Sequence, residues 1–291
     1  MKIVNIIGGL GNQMFQYALA IALRQYYPDD KILVDRSHFN RYKLHNGFEI
    51  DRIFGQTIPT ATVRDLIKVS YYVPWYKLSR VLRRILPRRA SEFIEKSDYI
   101  FDDSVFHVVG DCYYEGYWQS AKYFEKCRDL IMAAFTFPRF TDAQNIETAE
   151  EMLLPNSVAV HVRRGDYVNA PNYTGICGIE YYSHAIAEIN KRIDSPHYFI
   201  FSNDIQWCKD NISPLIANSQ ITFVSNNQGE DSYRDMQLMS LARACILANS
   251  SFSWWGAYLN KRDDRLIIVP DRWVNSKESD DIYLNEWIKV K

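Results

Sequence analysis

The amino-terminal segment constrains the fold more than any other part of this sequence. The β-branched run Ile3–Ile7 is followed by Gly8-Gly9-Leu10-Gly11-Asn12, and then by apolar residues at helical spacing up to Tyr27. A second apolar run, Lys31–Asp35, comes next. A strand, a glycine turn, a helix and a further strand in this order predict parallel pairing, which is the basis of an α/β sheet.

The second half of the chain shows the same alternation of strands and helices. Helical stretches separate five predicted strands, at 158–163, 198–202, 221–225, 245–249 and 266–269. The sequence therefore predicts an α/β protein with two Rossmann-like domains, residues 1–152 and 153–291. We also predict a helix over 280–291, for which packing against the first domain is an option.

Composition excludes several classes of protein. The net charge of −1 over 291 residues provides no basic field for nucleic acid. Five widely spaced cysteines without a Cys-x-x-Cys argue against a disulfide framework or a zinc site, and they favour a reducing, cytoplasmic compartment. No apolar run approaches the roughly 20 residues that span a bilayer.

Polar clusters follow the predicted strands, where open α/β sheets bind their ligands. His161, Arg163, Arg164 and Asp166 lie within six residues at one strand end. Arginine is a planar, permanently charged partner for phosphate, although an ion-pair cluster between domains would use the same residues. The glycine turn before Asn12 also suits a phosphate or a sugar, or is simply a tight turn.

Two further strand ends carry polar side chains. Asn203 and Asp204 follow one strand, where they would either cap the next helix or bind a ribose or base. The other strand end is serine-rich, and its hydroxyl and amide groups at a helix start suit a diphosphate. Its residues are Asn249, Ser250, Ser251, Phe252 and Ser253.

Two sequence features indicate which ligands are not expected. No Asp-x-Asp occurs, and the six histidines show no metal-ligand spacing, so we expect no metal. Met14 stands where the third glycine of a dinucleotide fingerprint belongs, which argues against a nicotinamide enzyme.

Three long blocks give the chain a family resemblance. They are Gly8–Tyr17, His161–Val168 and Ala248–Gly256, supported by Glu115–Phe124 and Phe201–Asp204. In order and spacing they resemble the signature blocks of bacterial α-1,2-fucosyltransferases, glycosyltransferase family 11. The resemblance runs from residue 3 to about residue 270.

The resemblance implies a GT-B fold, in which two Rossmann-like domains face a central cleft. It implies that the first domain mainly binds the acceptor and that the second binds GDP-β-L-fucose. The expected reaction is metal-independent and inverting, and it forms an α-1,2 linkage to the 2-OH of a terminal β-galactose. GDP-fucose is a co-substrate, so no cofactor is expected, and the acceptor is a galactose-terminated oligosaccharide or lipid-linked glycan.

Residue roles follow from the same resemblance. Arg163 is expected to stabilise the β-phosphate and Asp166 to act as the base, or else to orient an arginine. Acceptor contacts are expected from Glu115, Tyr117 and Trp118, although core packing is an equal alternative for the two aromatic residues. Donor contacts are expected from Asn12, Gln13, His161, Arg163, Asn203, Asp204, Asn249, Ser250, Ser251, Phe252 and Ser253.

Two alternatives to the transferase remain open at this stage. One is an NAD(P)-dependent Rossmann oxidoreductase that uses the first glycine turn. The other is a non-catalytic glycan-binding relative.

The stretch 66–91 carries seven Lys or Arg residues and no Asp or Glu, with aromatic residues among them. This pattern is typical of a solvated helical face, or of a segment that binds the inner, anionic face of a membrane.

Overall fold

The computed structural model describes residues 1–41, 46–55, 58–71, 78, 81, 85–165, 170–216 and 219–291. The chain divides into two compact units, Met1–Phe137 and Pro138–Lys291. The sequence places the boundary after residue 152, whereas the observed division precedes the helix Ala143–Met152. That helix belongs to the second unit, where Asn145 Nδ2 donates a hydrogen bond to Asn227 Oδ1 at 2.8 Å.

The first unit is built on a four-stranded parallel sheet. Its elements are β1 (Lys2–Asn5), α1 (Leu10–Tyr26), β2 (Ile32–Asp35), α2 (Ile50–Phe54), α3 (Val63–Val69), β3 (Glu92–Ile94), β4 (Cys112–Glu115) and α4 (Arg128–Ala134). The strand order is β2-β1-β4-β3, and every pair is parallel. The predicted strand, turn, helix and strand at the amino terminus are confirmed. Because β1 and β4 are neighbours, the loops that follow them meet at one edge of the sheet.

The second unit contains a six-stranded parallel sheet. Its elements are α5 (Ala143–Met152), β5 (Ser157–Val162), α6 (Ile179–Asn190), β6 (His197–Ser202), α7 (Ile205–Asn211), β7 (Gln220–Val224), α8 (Tyr233–Met239), β8 (Ala244–Ile246), α9 (Ser251–Tyr258), β9 (Leu266–Pro270) and β10 (Ile288–Val290). The order is β10-β9-β8-β5-β6-β7. This is the Rossmann arrangement, whose topological switch point lies here between β5 and β8.

The prediction of a carboxyl-terminal helix is wrong. Asp280–Ile282 forms a short 3₁₀ turn, and Ile288–Val290 pairs in parallel with β9 at the edge of the second unit's sheet. The alternation of Ile288, Lys289 and Val290 suits an edge strand, and the unpaired amide and carbonyl groups of β9 supply its partner.

Aromatic residues account for much of the interior of both units. In the second unit, Trp254 and Trp255 are fully buried, with ring centroids 5.0 Å apart and an interplanar angle of 74°. The indole Nε1 of Trp254 donates to the backbone oxygen of Ile282 at 2.6 Å. In the first unit, Trp118 is equally buried. These aromatic residues therefore pack in the cores of the two units.

Much of the basic stretch 66–91 lies outside the described residues, namely 72–77, 79–80 and 82–84. The hypothesis of membrane contact through it therefore stays a prediction. In the part of the chain that the structure describes, none of the helices combines the length and apolar character that crossing a bilayer requires.

Candidate active site

The switch point of the second unit brings two of the predicted clusters together. His161 and Arg163 stand at the carboxyl end of β5, and Ser250 follows β8, the neighbouring strand. The His161 ring lies 5.9 Å from the ring of Phe252, measured between centroids. Because open α/β sheets bind ligands at this point, these residues form the candidate donor site.

His161 is an uncharged hydrogen-bonding group in this site. Its side chain is 7% exposed, and its Nδ1 has no hydrogen-bond partner within the described ranges. Burial, with a further contribution from the positive charge of Arg163, lowers the pKa of His161 to about 3. The ring is therefore neutral at physiological pH, and Nδ1 is buried with its hydrogen-bonding capacity unused. Buried polar groups without a partner are uncommon in folded proteins, so this atom is a candidate for contact with a ligand.

The two adjacent arginines have different surroundings. Arg164 Nε donates to Asp204 Oδ2 at 3.2 Å, and its guanidinium lies 4.0 Å from the ring centroid of Trp207. Its backbone amide donates to Asn203 Oδ1 at 3.0 Å. Arg164 therefore fixes the loop after β5 onto the loop after β6. Arg163 is half-buried at the strand end, and its charge acts on His161.

Asn203 and Asp204, which were predicted to bind a ribose or base, form hydrogen bonds with other residues of the protein. Asp204 Oδ1 accepts from the amide of Trp207 at 3.1 Å and caps α7, while its Oδ2 accepts from Arg164. Gly165 adopts a φ of +33°, and a Cβ there would lie 2.4 Å from Asn203 Nδ2. The pair thus shapes the arginine loop, and donor contact stays a prediction.

The serine-rich segment separates into residues at the helix start and residues in the interior. Ser250 caps α9, with its Oγ accepting from the amide of Phe252 at 3.4 Å. Ser251 and Phe252 are half-buried in the first turn, where amides have no carbonyl partner within the helix. This end of α9 therefore keeps the predicted anion-binding character.

The side chains of Asn249 and Ser253 lie in the interior of the second unit, and their contact with the donor stays a prediction. Ser253 is fully buried, and its Oγ donates to the backbone oxygens of Ala248 and Ser250 at 3.4 and 3.3 Å. Asn249 is 2% exposed, and its Nδ2 donates to the backbone oxygen of Trp273 at 3.0 Å. Both side chains satisfy backbone groups inside the unit.

In the first unit, the side chain of Gln13 has protein partners, and its contact with the donor stays a prediction. The side chain is fully buried, and its Nε2 donates to the backbone oxygens of Gly8 and Gly47 at 2.9 and 2.8 Å. Its Oε1 accepts from the amide of Glu49 at 2.8 Å. Gln13 therefore joins two loops. The neighbouring Asn12 is half-buried, and its Oδ1 accepts from Gln119 Nε2 at 2.8 Å.

Of the three predicted acceptor residues, Trp118 does not face solvent. Its indole is fully buried and meets the ring of Tyr123 edge-on, with centroids 5.6 Å apart. Stacking of Trp118 on an acceptor sugar is therefore wrong, because neither face of the indole is accessible. Glu115 and Tyr117 are half-buried at the end of β4 and remain candidates for acceptor contact.

The predicted base, Asp166, lies outside the described residues, which omit 166–169. Its role stays a prediction. Among the described residues, no three His, Cys, Asp or Glu side chains are grouped as metal ligands would be.

Asp235 is a candidate that sequence reasoning missed. It lies in the first turn of α8 and is half-buried, and Asn227 Nδ2 donates to its Oδ1 at 2.8 Å. Burial raises the pKa of Asp235 to about 7, although the Asn227 hydrogen bond lowers it. Helix α8 packs closely on α9, because a Cβ at Gly256 would lie 3.1 Å from the Cβ of Met239. The available sequence signal was an acidic residue near the start of the helix that follows Asn226 and Asn227.

These strand ends, switch point and helix start are the features of a Rossmann-like unit that binds a phosphorylated ligand. Over residues 1–291 the chain matches glycosyl transferase family 11, and it belongs to that family. The sequence resemblance is confirmed, and the oxidoreductase alternative is set aside.

Curated relatives extend over nearly the whole chain. An α-1,2-colitosyltransferase from Escherichia coli is 32% identical, over 99% of this chain and 98% of the relative. Galactoside α-(1,2)-fucosyltransferase 1 from Alouatta belzebul is 24% identical, over 97% of this chain and 73% of the relative.

A solved structure shows the fold. The crystal structure of NodZ α-1,6-fucosyltransferase soaked with GDP-fucose matches with a TM-score of 0.52 and 16% identity, over 93% of this chain and 94% of that one. The predicted GT-B class, with two Rossmann-like units, is confirmed.

Proposed function

We propose that this glycosyltransferase moves L-fucose from GDP-β-L-fucose to the 2-OH of a terminal β-galactose, with inversion at the anomeric carbon. The observation that carries the proposal is the switch point of the second unit, where His161 and Arg163 stand beside the Ser250-capped start of α9. A permanently charged guanidinium next to a helix amino terminus is suited to a diphosphate. The names of two relatives, a galactoside α-(1,2)-fucosyltransferase and an α-1,2-colitosyltransferase, support the linkage.

The reaction is a single displacement. The galactose 2-OH attacks C1 of fucose from the face opposite GDP, and the bond from C1 to the phosphate oxygen breaks with its electron pair staying on GDP. Arg163 and the first-turn amides of α9 stabilise the negative charge that develops on the β-phosphate. The proton of the 2-OH passes to a base, for which Asp166 is our proposed residue. Asn12 is retained as a proposed donor contact from the first unit.

Asp235 and His161 are proposed to recognise the guanine. The base presents donors at N1 and N2, and an ionised carboxylate accepts two parallel N–H groups. Neutral His161 offers the unpartnered Nδ1 to the nucleotide. Glu115 and Tyr117 are proposed to bind the acceptor in the first unit. No metal or cofactor is invoked, because Arg163 and the helix start carry the charge of the diphosphate.

A second candidate donor is GDP-colitose. The observation that favours it is the 32% identity to an α-1,2-colitosyltransferase over 99% of this chain. Colitose differs from fucose in lacking the 3-hydroxyl. A site built to hydrogen-bond a hydroxyl rejects an analogue without it by about 10⁴-fold or more, so the two donors are readily distinguished.

The test is an acceptor array assayed with GDP-fucose and, in parallel, with GDP-colitose, followed by NMR assignment of the product linkage. We expect a new α-1,2 linkage on β-galactosides and GDP release that depends on the acceptor. Thermal shift provides an independent measurement, in which GDP raises the melting temperature and NAD does not. If GDP binds but no β-galactoside elicits transfer from either donor, the chain is a glycan-binding relative and the proposal fails.

A further inference from the structure

Residues 115–119, which comprise the last residue of β4 and the loop after it, have an unusual backbone. Trp118 adopts a φ of +58°, in the left-handed region that a bulky residue rarely occupies. Its side chain is fully buried, and its indole Nε1 has no hydrogen-bond partner in the described chain. Backbone of this kind persists only where the surrounding structure determines it, and it occurs most often at functional sites.

Glu95, which directly follows β3, holds the strained residue. Its Oε2 accepts from the backbone amide of Tyr117 at 2.6 Å, and its Oε1 accepts from the amide of Trp118 at 3.0 Å. Gly116 allows this approach, because a Cβ there would lie 2.5 Å from the Cβ of Glu95. One carboxylate thus binds two consecutive amides, and charge makes such hydrogen bonds about twice as strong as neutral ones.

Two glutamines attach the same loop to the turn after β1. Gln16 Nε2 donates to the backbone oxygen of Gly116 at 2.9 Å, while its Oε1 accepts from the amide of Ile7 at 2.9 Å. Gln119 Nε2 donates to Asn12 Oδ1 at 2.8 Å. The loop is therefore fixed from β3 on one side and from the β1 turn on the other. Its half-buried members, Glu115 and Tyr117, lie between these attachments.

We propose that Glu95 is the positioning residue for acceptor binding. It holds Trp118 in its left-handed conformation, and this fixes the direction in which the backbone presents Tyr117 to the galactoside. Glu95 itself touches neither substrate, because both of its oxygens face the loop amides. This inference rests on the proposed function, since it assumes that the loop after β4 meets the acceptor.

The test is Glu95→Gln, analysed by steady-state kinetics and calorimetry. The glutamine side chain has one oxygen, which accepts from one of the two backbone N–H groups. Its NH₂ group faces the other backbone N–H and cannot accept from it, so the loop loses its fixed geometry. We expect the acceptor KM to rise by about tenfold or more, as for a lost charge-assisted hydrogen bond, with kcat and GDP affinity little changed. Hydrogen exchange should become faster at the amides of Tyr117 and Trp118.

Glu92→Gln is the matched control. Glu92 is the first residue of β3, three residues before Glu95, and its Oε2 accepts from the amide of Arg89 at 3.2 Å instead of from the amides of Tyr117 and Trp118. Its acceptor KM should equal that of the wild type. Glu95→Asp is the second variant, because it keeps the negative charge but shortens the side chain by one methylene group, so that the carboxylate no longer reaches both loop amides. It should reproduce the rise in KM and carries the test if Glu95→Gln does not fold.

An unchanged acceptor KM in either folded variant overturns the inference. A fall in GDP affinity parallel to the rise in KM also overturns it, because that result indicates general loosening of the fold. Wild-type protein that transfers sugar to no galactoside refutes the proposed function instead, so the two failures are distinguishable.

Discussion

Replacing each of the two adjacent arginines separately tests the assignment of the diphosphate site. Arg163→Ala removes a guanidinium from the end of β5, beside His161 and the start of α9. Loss of one donor that stabilises developing negative charge costs about 3–4 kcal/mol of transition-state stabilisation, which is a hundredfold to thousandfold in rate. The fold should be preserved, because the residue lies beyond the last paired residue of its strand.

Arg164→Ala is the matched control, because Arg164 is also an arginine and is the next residue in the chain. Its ion pair with Asp204 joins side chains that are 28% and 41% exposed, and such a pair contributes at most about 1 kcal/mol. Its contact with the Trp207 ring at 4.0 Å adds about 1 kcal/mol. If all of this were transmitted to the active site, kcat/KM would fall by no more than about thirtyfold.

The assay is GDP release with saturating β-galactoside, accompanied by thermal unfolding of each variant. Arg163→Ala should lose kcat with an almost unchanged melting temperature, whereas Arg164→Ala should lose stability as well as activity. Near wild-type turnover in Arg163→Ala would refute the phosphate role. A larger loss in Arg164→Ala than in Arg163→Ala would show that the two arginines have been assigned the wrong way round.

Four further predictions concern the nucleotide base, the stability of the fold, metals and membranes. Burial raises the pKa of Asp235 to about 7, and only the ionised carboxylate accepts both guanine donors. The affinity for GDP-fucose should therefore increase as pH rises through about 7, and Asp235→Asn should abolish this pH dependence. Asp235 also takes up a proton on folding at pH values between 3.8 and about 7, so its contribution to the free energy of unfolding declines as pH rises across that window. Chemical denaturation of the wild type and of Asp235→Asn at several pH values checks the direction of this change. Activity should survive EDTA, and complete loss restored by Mn²⁺ or Mg²⁺ would reveal a metal site. If residues 66–91 bind an anionic leaflet, the protein should float with anionic but not neutral liposomes and lose this binding in high salt, since each cation contributes about 1 kcal/mol near the surface. Replacing four arginines with Glu should abolish flotation while preserving turnover on a soluble disaccharide; the four are Arg80, Arg83, Arg84 and Arg88. A wild-type protein that does not bind anionic liposomes at low salt would contradict the hypothesis.

Local pattern predicted the α/β class with parallel sheets and the strand ends at which the candidate donor residues lie, although it missed β3 and β4. The glycine turn after β1 and the alternation of apolar strands with helices predict parallel sheets, because crossover connections leave few other arrangements. Polar residues at strand ends then mark the ligand edge, and His161 and Arg163 do stand at the switch point. The carboxyl-terminal strand Ile288–Val290 escaped this reasoning, since three residues carry too short a period and the free edge of β9 supplies their partner.

Only the tertiary structure decided which polar side chains are engaged inside the protein. Gln13, Asn249 and Ser253 look like site residues in the sequence, yet each satisfies backbone groups inside its own unit. Some of those partners are distant in the chain, such as the Gly47 oxygen for Gln13 and the Trp273 oxygen for Asn249. A buried backbone group must be paired, and which side chain pairs it depends on how separate segments pack.

The same reason explains why Glu95 and Asp235 were not found in the sequence. Glu95 has no motif around it, and its role arises from the amides of Tyr117 and Trp118 on a neighbouring strand's loop. The pKa of Asp235 is raised because the folded chain buries it beside Asn227. Sequence pattern determined where the chain turns and which strand ends carry polar residues, whereas burial and long-range hydrogen bonding, which exist only in the folded chain, determined the partners of those side chains.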